Sequence, residues 1–118
     1  MFWALFLLQA AQIPTLQPGN HTLSLRVGDR NRRYIVHVPP EARESGPLPV
    51  ILSFHGGGGT AKGQQDYAGA DPLADREGIV MVYPEGTGVL PRRLHTWNAG
   101  SCCGYARDHH VDDQRARR

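Results

Sequence analysis

Hydrophobic and polar residues alternate along two neighbouring segments near the start of the chain. Residues 21–27 read His-Thr-Leu-Ser-Leu-Arg-Val, and residues 32–38 read Arg-Arg-Tyr-Ile-Val-His-Val. Alternation with a period of two is typical of a strand with one buried and one exposed face. Turn-forming residues at 28–31 separate the two segments, and Pro39 and Pro40 end the second one. The pattern therefore predicts an antiparallel β-hairpin.

Two later segments are apolar almost without interruption. Residues 48–54 read Leu-Pro-Val-Ile-Leu-Ser-Phe, and residues 79–83 read Ile-Val-Met-Val-Tyr. Short, continuous runs rich in β-branched side chains are typical of strands that helices cover on both faces. Both segments are therefore predicted to be buried strands, and the first of them a central strand of the sheet.

Helical signals lie between these two strands. A short helical stretch is expected around residues 64–68. A second helix is expected to begin with Asp71 as its N-cap and Pro72 in its first turn, and to end before Gly78. Strand, helix and strand in this order predict two parallel strands joined by a right-handed crossover. Residues 85–110 have no clear period and are expected to form a long loop.

Composition and charge narrow the class of protein. The 118 residues suit a single domain, and 40% hydrophobic with 20% charged residues is ordinary for a folded protein. The formal net charge is only +2, and the arginines are scattered rather than gathered on one segment. So little positive charge neutralises few phosphates, which argues against nucleic-acid binding.

The first eight residues are almost entirely apolar. This run is too short to span a bilayer but suits the apolar region of a signal peptide, and Leu8-Gln9-Ala10 resembles a cleavage site. No Lys or Arg precedes the run, so an apolar N-terminal tail is the alternative. Residues 1–19 are interpreted as a short signal peptide, and an extracellular or periplasmic location is expected.

A glycine run follows directly on the first apolar strand, with His55 before four glycines at 56–59. Ligands bind at the carboxyl ends of parallel strands, and glycine lets bare N–H groups approach a substrate. Acyl-transfer enzymes hold the oxyanion of a tetrahedral intermediate in this way. A phosphate-binding loop would need Gly-Lys-Ser/Thr, which Lys62-Gly63-Gln64 does not supply. A flexible connector is the alternative, and His55 is expected to brace the loop rather than to act as a base.

The two cysteines, Cys102 and Cys103, are adjacent. Such a pair cannot link distant parts of the chain, and a bridge between neighbours strains the backbone. In an exported protein, at least one of them is expected to pair with a cysteine outside these residues.

Five motifs occur in a fixed order along the chain. After the hairpin come Pro-Val-Ile-Leu-Ser-Phe-His-Gly-Gly-Gly-Gly, Leu-Ala-Asp-Arg-Glu-Gly, Ile-Val-Met-Val-Tyr-Pro-Glu-Gly, Thr-Trp-Asn-Ala-Gly-Ser-Cys-Cys-Gly and Val-Asp-Asp. This order resembles the polyhydroxybutyrate depolymerase and feruloyl esterase group of α/β-hydrolases. The resemblance covers residues 20–113, and the motif that contains the cysteine pair is its most specific part.

The resemblance implies a partial α/β-hydrolase fold, with an antiparallel hairpin followed by parallel strands and a crossover helix. It implies a secreted serine esterase acting on polyhydroxyalkanoate or feruloyl-type plant-wall esters, with no metal or organic cofactor and no membrane span. Gly56, Gly57 and Gly58 then fall on the oxyanion loop, with Gly57 as the first choice of N–H donor.

The resemblance also assigns residues outside the glycine loop. Trp97 and Asn98 fall in a loop that is expected to wall the substrate cleft, and a packed aromatic anchor is the alternative for Trp97. Cys102 and Cys103 fall on the paired cysteines of the group, which implies a structural bridge rather than chemistry.

The sequence departs from the group in lacking a nucleophile. The group uses a serine in Gly-x-Ser-x-Gly, followed in the chain by an acid and a histidine. Residues 114–118 form a divergent basic tail where the group continues with an apolar helix. Residues 20–113 are therefore interpreted as the N-terminal part of a hydrolase domain, inactive alone, whose partner is the missing C-terminal part of the same enzyme. The serines outside the required frame are Ser24, Ser45, Ser53 and Ser101.

Three alternatives remain open. Gly-Ser-Cys-Cys-Gly has the frame of a thiol hydrolase with Cys102 as nucleophile, although residues 94–99 do not form the buried strand that such an elbow needs. A zinc site is disfavoured because adjacent cysteines lack the usual spacing of zinc ligands. The chain is otherwise a non-catalytic remnant or a polymer- or carbohydrate-binding piece. The downstream partners for the first two alternatives are His109, His110, Asp112 and Asp113.

Overall fold

A computed structural model describes residues 16–43, 46–91 and 93–111. The interpreted signal peptide lies mostly outside the described residues, as do Asp112, Asp113 and the basic tail. Within the described ranges, no helix has the length and apolar character needed to cross a membrane.

The predicted hairpin is confirmed. Strand β1 (Gly19–Val27) pairs antiparallel with strand β2 (Arg30–Val38) along its whole length. The turn between them needs Gly28, whose φ of 61° lies in the left-handed region that glycine adopts without a steric penalty. A single 3-10 turn, Pro40–Arg43, follows the hairpin.

The two apolar runs form a parallel pair, as predicted. Strand β3 (Val50–Leu52) lies beside strand β4 (Val80–Pro84), and β4 pairs antiparallel with β2 on its other side. The strand order is therefore β1-β2-β4-β3. A mixed sheet with helices between its parallel strands belongs to the α/β class.

The prediction that β3 is a buried central strand is wrong. It is a three-residue strand that pairs within the described residues only with β4. Val50, Ile51 and Leu52 are 54%, 46% and 56% exposed, because the helices pack on β2 and β4 and leave β3 uncovered. The apolar composition indicates a tendency to be buried, but burial also needs a neighbour on each side.

Two helices connect the parallel strands. Helix α1 (Ala61–Ala68) begins earlier than expected, because the Thr60 side chain accepts a hydrogen bond from Gly63 N and caps it. Helix α2 (Asp71–Glu77) ends at Gly78, as predicted. Its N-cap is Ala70 and not Asp71.

The core lies between these helices and one face of the sheet. Met81 and Tyr83 of β4 are 5% and 0% exposed and pack against Ala61 of α1 and Ala74 of α2. A third helix, α3 (Gly104–Asp108), occurs where only a loop was expected. This packing holds α1 against β4 and β2, and the glycine loop precedes α1 in the chain.

Candidate functional site

His55 lies three residues after the end of β3 and is almost fully buried, at 4% exposure. Its Nδ1 is 2.7 Å from Gly56 O, and Gly86 N donates to its Nε2 at 3.0 Å. Nε2 accepts a hydrogen bond, so it carries no proton. The ring proton is therefore on Nδ1, and this N–H donates a hydrogen bond to the Gly56 carbonyl. Both ring nitrogens therefore bind backbone groups, an arrangement suited to bracing the loop and not to removing a proton.

The four glycine amides are not equivalent. Gly58 N donates to His95 O at 2.8 Å, and Gly59 N donates to Gly56 O at 3.0 Å. Within the part of the chain that the structure describes, Gly56 N and Gly57 N donate to no acceptor, and both residues are exposed. The expectation that Gly58 also contributes to an oxyanion hole is corrected, because its N–H is already used by His95.

Gly58 and Gly59 must be glycine, and the reason differs between the two positions. Gly58 has φ of 82°, a conformation that other residues rarely adopt. A Cβ on Gly59 would lie 3.1 Å from Gly56 O and 3.2 Å from the His55 ring. A Cβ on Gly56 or Gly57 would meet nothing within 4 Å, so these two residues face open space.

Glu85 lies behind the loop, directly after β4. One carboxylate oxygen, Oε1, accepts from Ala61 N at 3.1 Å and lies 2.7 Å from His95 Nδ1. The same oxygen is 3.7 Å from His55 Nε2. Glu85 thereby connects the first turn of α1 with the segment that binds Gly58. Neither Glu85 nor His95 was assigned a role from the sequence, although Pro-Glu-Gly directly after a strand was a usable signal.

The glycines after β4 are tightly packed. A Cβ on Gly86 would lie 2.6 Å from Thr96 O and 2.9 Å from His55 Nε2. A Cβ on Gly88 would lie 2.5 Å from Leu94 O. These two glycines let the segment around residues 94–96 approach the end of β4, which brings His95 to the glycine loop.

Trp97 and Asn98 both make fixed contacts. The Trp97 indole donates to His55 O at 2.9 Å, and its ring lies 5.1 Å from Phe54 between centroids. Asn98 donates to Val111 O at 3.0 Å and accepts from Gly100 N at 3.1 Å. These contacts match the packed-anchor alternative for Trp97. That either residue walls a substrate cleft stays a prediction.

Cys102 and Cys103 are bonded to each other through their sulfur atoms, and the peptide bond between them is cis. The expectation that one of them pairs with a cysteine outside these residues stays a prediction. The residues just before Cys102 form no strand, so the buried strand that a thiol-hydrolase elbow needs is not found there.

No three His, Cys, Asp or Glu side chains of the described residues are grouped so that they could hold a metal ion. Two clefts of about 290 and 160 Å³ lie beside Glu85, and neither is lined by Gly56 or Gly57. The two unpartnered amides therefore belong to an exposed part of the surface outside both clefts.

A second polar cluster lies on the helix side of the sheet. Tyr83 donates to Asp71 Oδ1 at 2.6 Å, and Gln65 donates to Asp71 Oδ2 at 2.7 Å. Burial raises the pKa of the Tyr83 hydroxyl well above its ordinary value, and the hydrogen bond to Asp71 and its negative charge raise it further. Asp71, expected as a helix cap, therefore joins α2 to the buried end of β4.

His37 of β2 extends this cluster. Its Nδ1 is 2.7 Å from Asn20 Oδ1, and its Nε2 is 2.7 Å from Asp75 Oδ1. Throughout the described residues, each buried side-chain nitrogen and oxygen has a hydrogen-bond partner. The cluster thus leaves no buried polar group open for a ligand, and it ties the hairpin to α2.

These features define an α/β chain with two unpartnered backbone amides at the carboxyl end of a parallel strand. No family model matches the sequence. A protein described as "Putative esterase NocK", from Nocardia uniformis subsp. tsuyamanensis, is 36% identical over 63 residues. The chain spans 18% of that relative's length, and the match covers 51% of the chain. This partial similarity supports an esterase-like relationship and does not single out one esterase group.

Proposed function

We propose that the chain is the N-terminal part of an α/β-hydrolase that cleaves carboxylic esters, and that the amides of Gly56 and Gly57 form part of its oxyanion hole. The observation that carries this proposal is that these two N–H groups are exposed and donate to no described acceptor. Unpaired amides at a surface loop are suited to an oxygen atom that develops negative charge.

The position of the loop supports the proposal. In α/β-hydrolases one oxyanion donor comes from the loop between the third strand and the first helix, often a His-Gly-Gly-Gly motif. Here His55 and the four glycines connect β3 to α1. The partial similarity to an esterase agrees with this chemistry.

The free edge of β3 supports the proposed completion of the sheet. Its three apolar side chains are about half exposed, and an unpaired edge of this kind is ready to accept another strand. In an α/β-hydrolase the nucleophile lies on a turn after a strand at the top of the sheet. We propose that a strand from beyond these 118 residues pairs with β3 and presents the serine to the glycine loop.

In the proposed reaction, the nucleophile and the base come from residues outside this chain, and the oxyanion donors come from the glycine loop. The serine hydroxyl attacks the ester carbonyl, a histidine from outside this chain takes its proton, and the carbonyl oxygen becomes an oxyanion. The N–H groups of Gly56 and Gly57 stabilise that oxyanion until the alcohol leaves with the proton. His55 does not serve as the base, because both of its ring nitrogens bind backbone groups.

Substrate and location are proposed from sequence resemblance. The motif around Cys102 and Cys103 favours a polyhydroxyalkanoate or feruloyl-type ester, and the apolar run at residues 1–8 favours secretion. Assays of the longer enzyme on polyhydroxybutyrate and on a feruloyl sugar ester would separate the two substrates. Binding of either polymer without turnover would favour a non-catalytic binding piece instead.

The proposal is tested by producing the chain alone and together with the coding sequence that follows Arg118. With p-nitrophenyl acyl esters, we expect no turnover from the chain alone and turnover from the longer protein. In the longer protein, Gly57→Pro removes the N–H and should lower kcat by about 10²–10³-fold, whereas Gly57→Ala keeps it and should have little effect. Turnover by the chain alone that iodoacetamide abolishes would contradict the proposal.

A further inference from the structure

We propose that Glu85 and His95 are positioning residues for the oxyanion loop, acting as a hydrogen-bonded pair that fixes the backbone on which Gly58 is held. The inference deepens the proposed function and rests on it. It assigns roles to two residues that no resemblance singled out, and neither of them is proposed to touch the substrate.

Two hydrogen bonds converge on one carboxylate oxygen of Glu85. Oε1 binds the amide of Ala61 at 3.1 Å and the His95 ring at 2.7 Å. Ala61 is the first residue of α1, where a carboxylate also interacts favourably with the helix dipole. Glu85 therefore fixes the position of His95 relative to α1, the helix that follows the glycine loop.

The side chain of His95 is buried, at 5% exposure, and each of its ring nitrogens has a polar partner. Its Nδ1 faces the Glu85 carboxylate, and its Nε2 faces Leu90 O, also at 2.7 Å. A carbonyl oxygen only accepts, so the bond to Leu90 O forms only when Nε2 carries a proton. The ring is thereby held between Glu85 and the backbone of Leu90.

The backbone of His95 connects its side chain to the glycine loop. It accepts from Gly58 N at 2.8 Å and donates to Gly59 O at 3.3 Å. This isolated antiparallel bridge lies outside the named strands, and the next residue, Thr96, exchanges two backbone hydrogen bonds with Thr87. The bridge keeps Gly58 in place and leaves the two preceding amides free, and the His95 side chain adds a second anchor beside the Thr96 bonds.

Two further basic side chains lie close to Glu85. His55 Nε2 lies 3.7 Å from Glu85 Oε1, and the Arg32 guanidinium donates to Glu85 O at 3.4 Å. Arg32 also binds the Thr87 hydroxyl. The Arg32 bond holds the Glu85 backbone, and the carboxylate contacts Ala61 N and the His95 ring, with the His55 ring slightly farther away.

Hydrogen exchange of single amides tests the proposal on the 118-residue chain at low micromolar concentration. In Glu85→Gln, the exchange rate of the Gly58 amide should rise about tenfold or more, because a charge-assisted bond to His95 is lost. The matched control is Glu77→Gln, which removes an exposed carboxylate paired with Arg76 and should leave Gly58 unchanged. The Met81 amide reports on the core and should exchange equally slowly in all three proteins.

A measurement on the unaltered chain keeps the test decisive if Glu85→Gln does not fold. With nitrogen-15 label in histidine only, ring signals should show a protonated Nε2 on His95, which faces Leu90 O, and a protonated Nδ1 on His55, which faces Gly56 O. A His95 ring without a proton on Nε2 would lack the bond to Leu90 O and would overturn the proposal.

The exchange experiment tests the positioning role of Glu85 and His95, and the kcat of Gly57 variants tests the oxyanion role, so either proposal can fail without the other. Equal Gly58 protection with and without the Glu85 carboxylate would reject the positioning role, even in an enzyme whose kcat depends on the Gly57 N–H. An enzyme whose kcat is insensitive to Gly57→Pro would reject the oxyanion role and leave the exchange result intact.

Discussion

The two parallel strands each end in a glycine-containing segment, yet the two segments are built in opposite ways. The segment after β3 leaves open space around Gly56 and Gly57, whereas the segment after β4 would place a Cβ on Gly86 2.6 Å from a carbonyl oxygen. The strands differ in the same sense, because Met81 of β4 is buried and Ile51, its register partner in β3, is half exposed. One unit is packed against other parts of the chain, and the other is open at the surface.

This difference shows that a glycine can be needed for two unrelated reasons. Gly86 is needed because another part of the chain occupies the space of a side chain. At Gly57 no described atom occupies that space, so what glycine offers there is an unscreened N–H. A glycine run in a sequence does not distinguish the two cases, but the local packing does.

The largest expected effect contrasts the strands themselves. Met81→Ala should lower the free energy of unfolding by about 3 kcal/mol, because it leaves a cavity between β4 and the helices. Ile51→Ala should cost less than about 1 kcal/mol, since that side chain is already half in water. Urea denaturation followed by circular dichroism measures both values. Similar losses for the two variants would mean that β3 is as buried as β4 in solution.

The next effect contrasts the glycines. Gly86→Ala should destabilise the chain by about 2 kcal/mol, because the new methyl group collides with Thr96 O and the His55 ring. The same denaturation experiment applies, and the shift in midpoint should come without a change in slope. An unchanged midpoint would show that the segment around Thr96 does not approach the end of β4 as closely as the structure has it.

Tyr83→Phe removes one buried hydroxyl from β4 and changes the side-chain volume little. It should lower the free energy of unfolding by about 1.5 kcal/mol, because the Asp71 carboxylate loses a buried hydrogen-bond donor. The raised pKa of Tyr83 also sets a sign for pH dependence. Above the ordinary tyrosine pKa of about 10, the unfolded chain loses this proton while the folded chain keeps it, so stability falls as pH rises.

The Phe variant should therefore lose less stability than the parent between neutral and alkaline pH. Tyr67→Phe is the matched control, because that side chain is 88% exposed. An equal alkaline loss in both variants and the parent would show that Tyr83 is not held by Asp71.

Much of the fold was predictable because it depends on local patterns. Alternation in residues 21–38 defined the hairpin, and glycine at position 78 marked the end of α2. The burial of β3 was not predictable, because an apolar run reports what a strand would bury and not which neighbours are present. Asp71 was misassigned for a similar reason, since its partners Tyr83 and Gln65 come from other elements.

The candidate site was only half predictable. The glycine motif located the loop, but it could not say which of four amides stays free, because His95 lies more than thirty residues away and selects Gly58. Glu85 was missed because its role depends on a helix start and a distant histidine meeting at one oxygen. Contacts between segments without regular structure leave no periodic signal in a sequence.

The smallest expected effect is the sharpest test of the contrast between the two glycine segments. Gly57→Ala should change the free energy of unfolding by no more than about 0.5 kcal/mol, because the methyl group meets no described atom and the residue's φ lies outside the left-handed region. The measurement is the same urea titration, read beside Gly86→Ala. A loss at Gly57 comparable to that at Gly86 would mean that the space over the two free amides is filled. An oxyanion could not then reach them, so the openness of this one position supports both the contrast and the proposed chemistry.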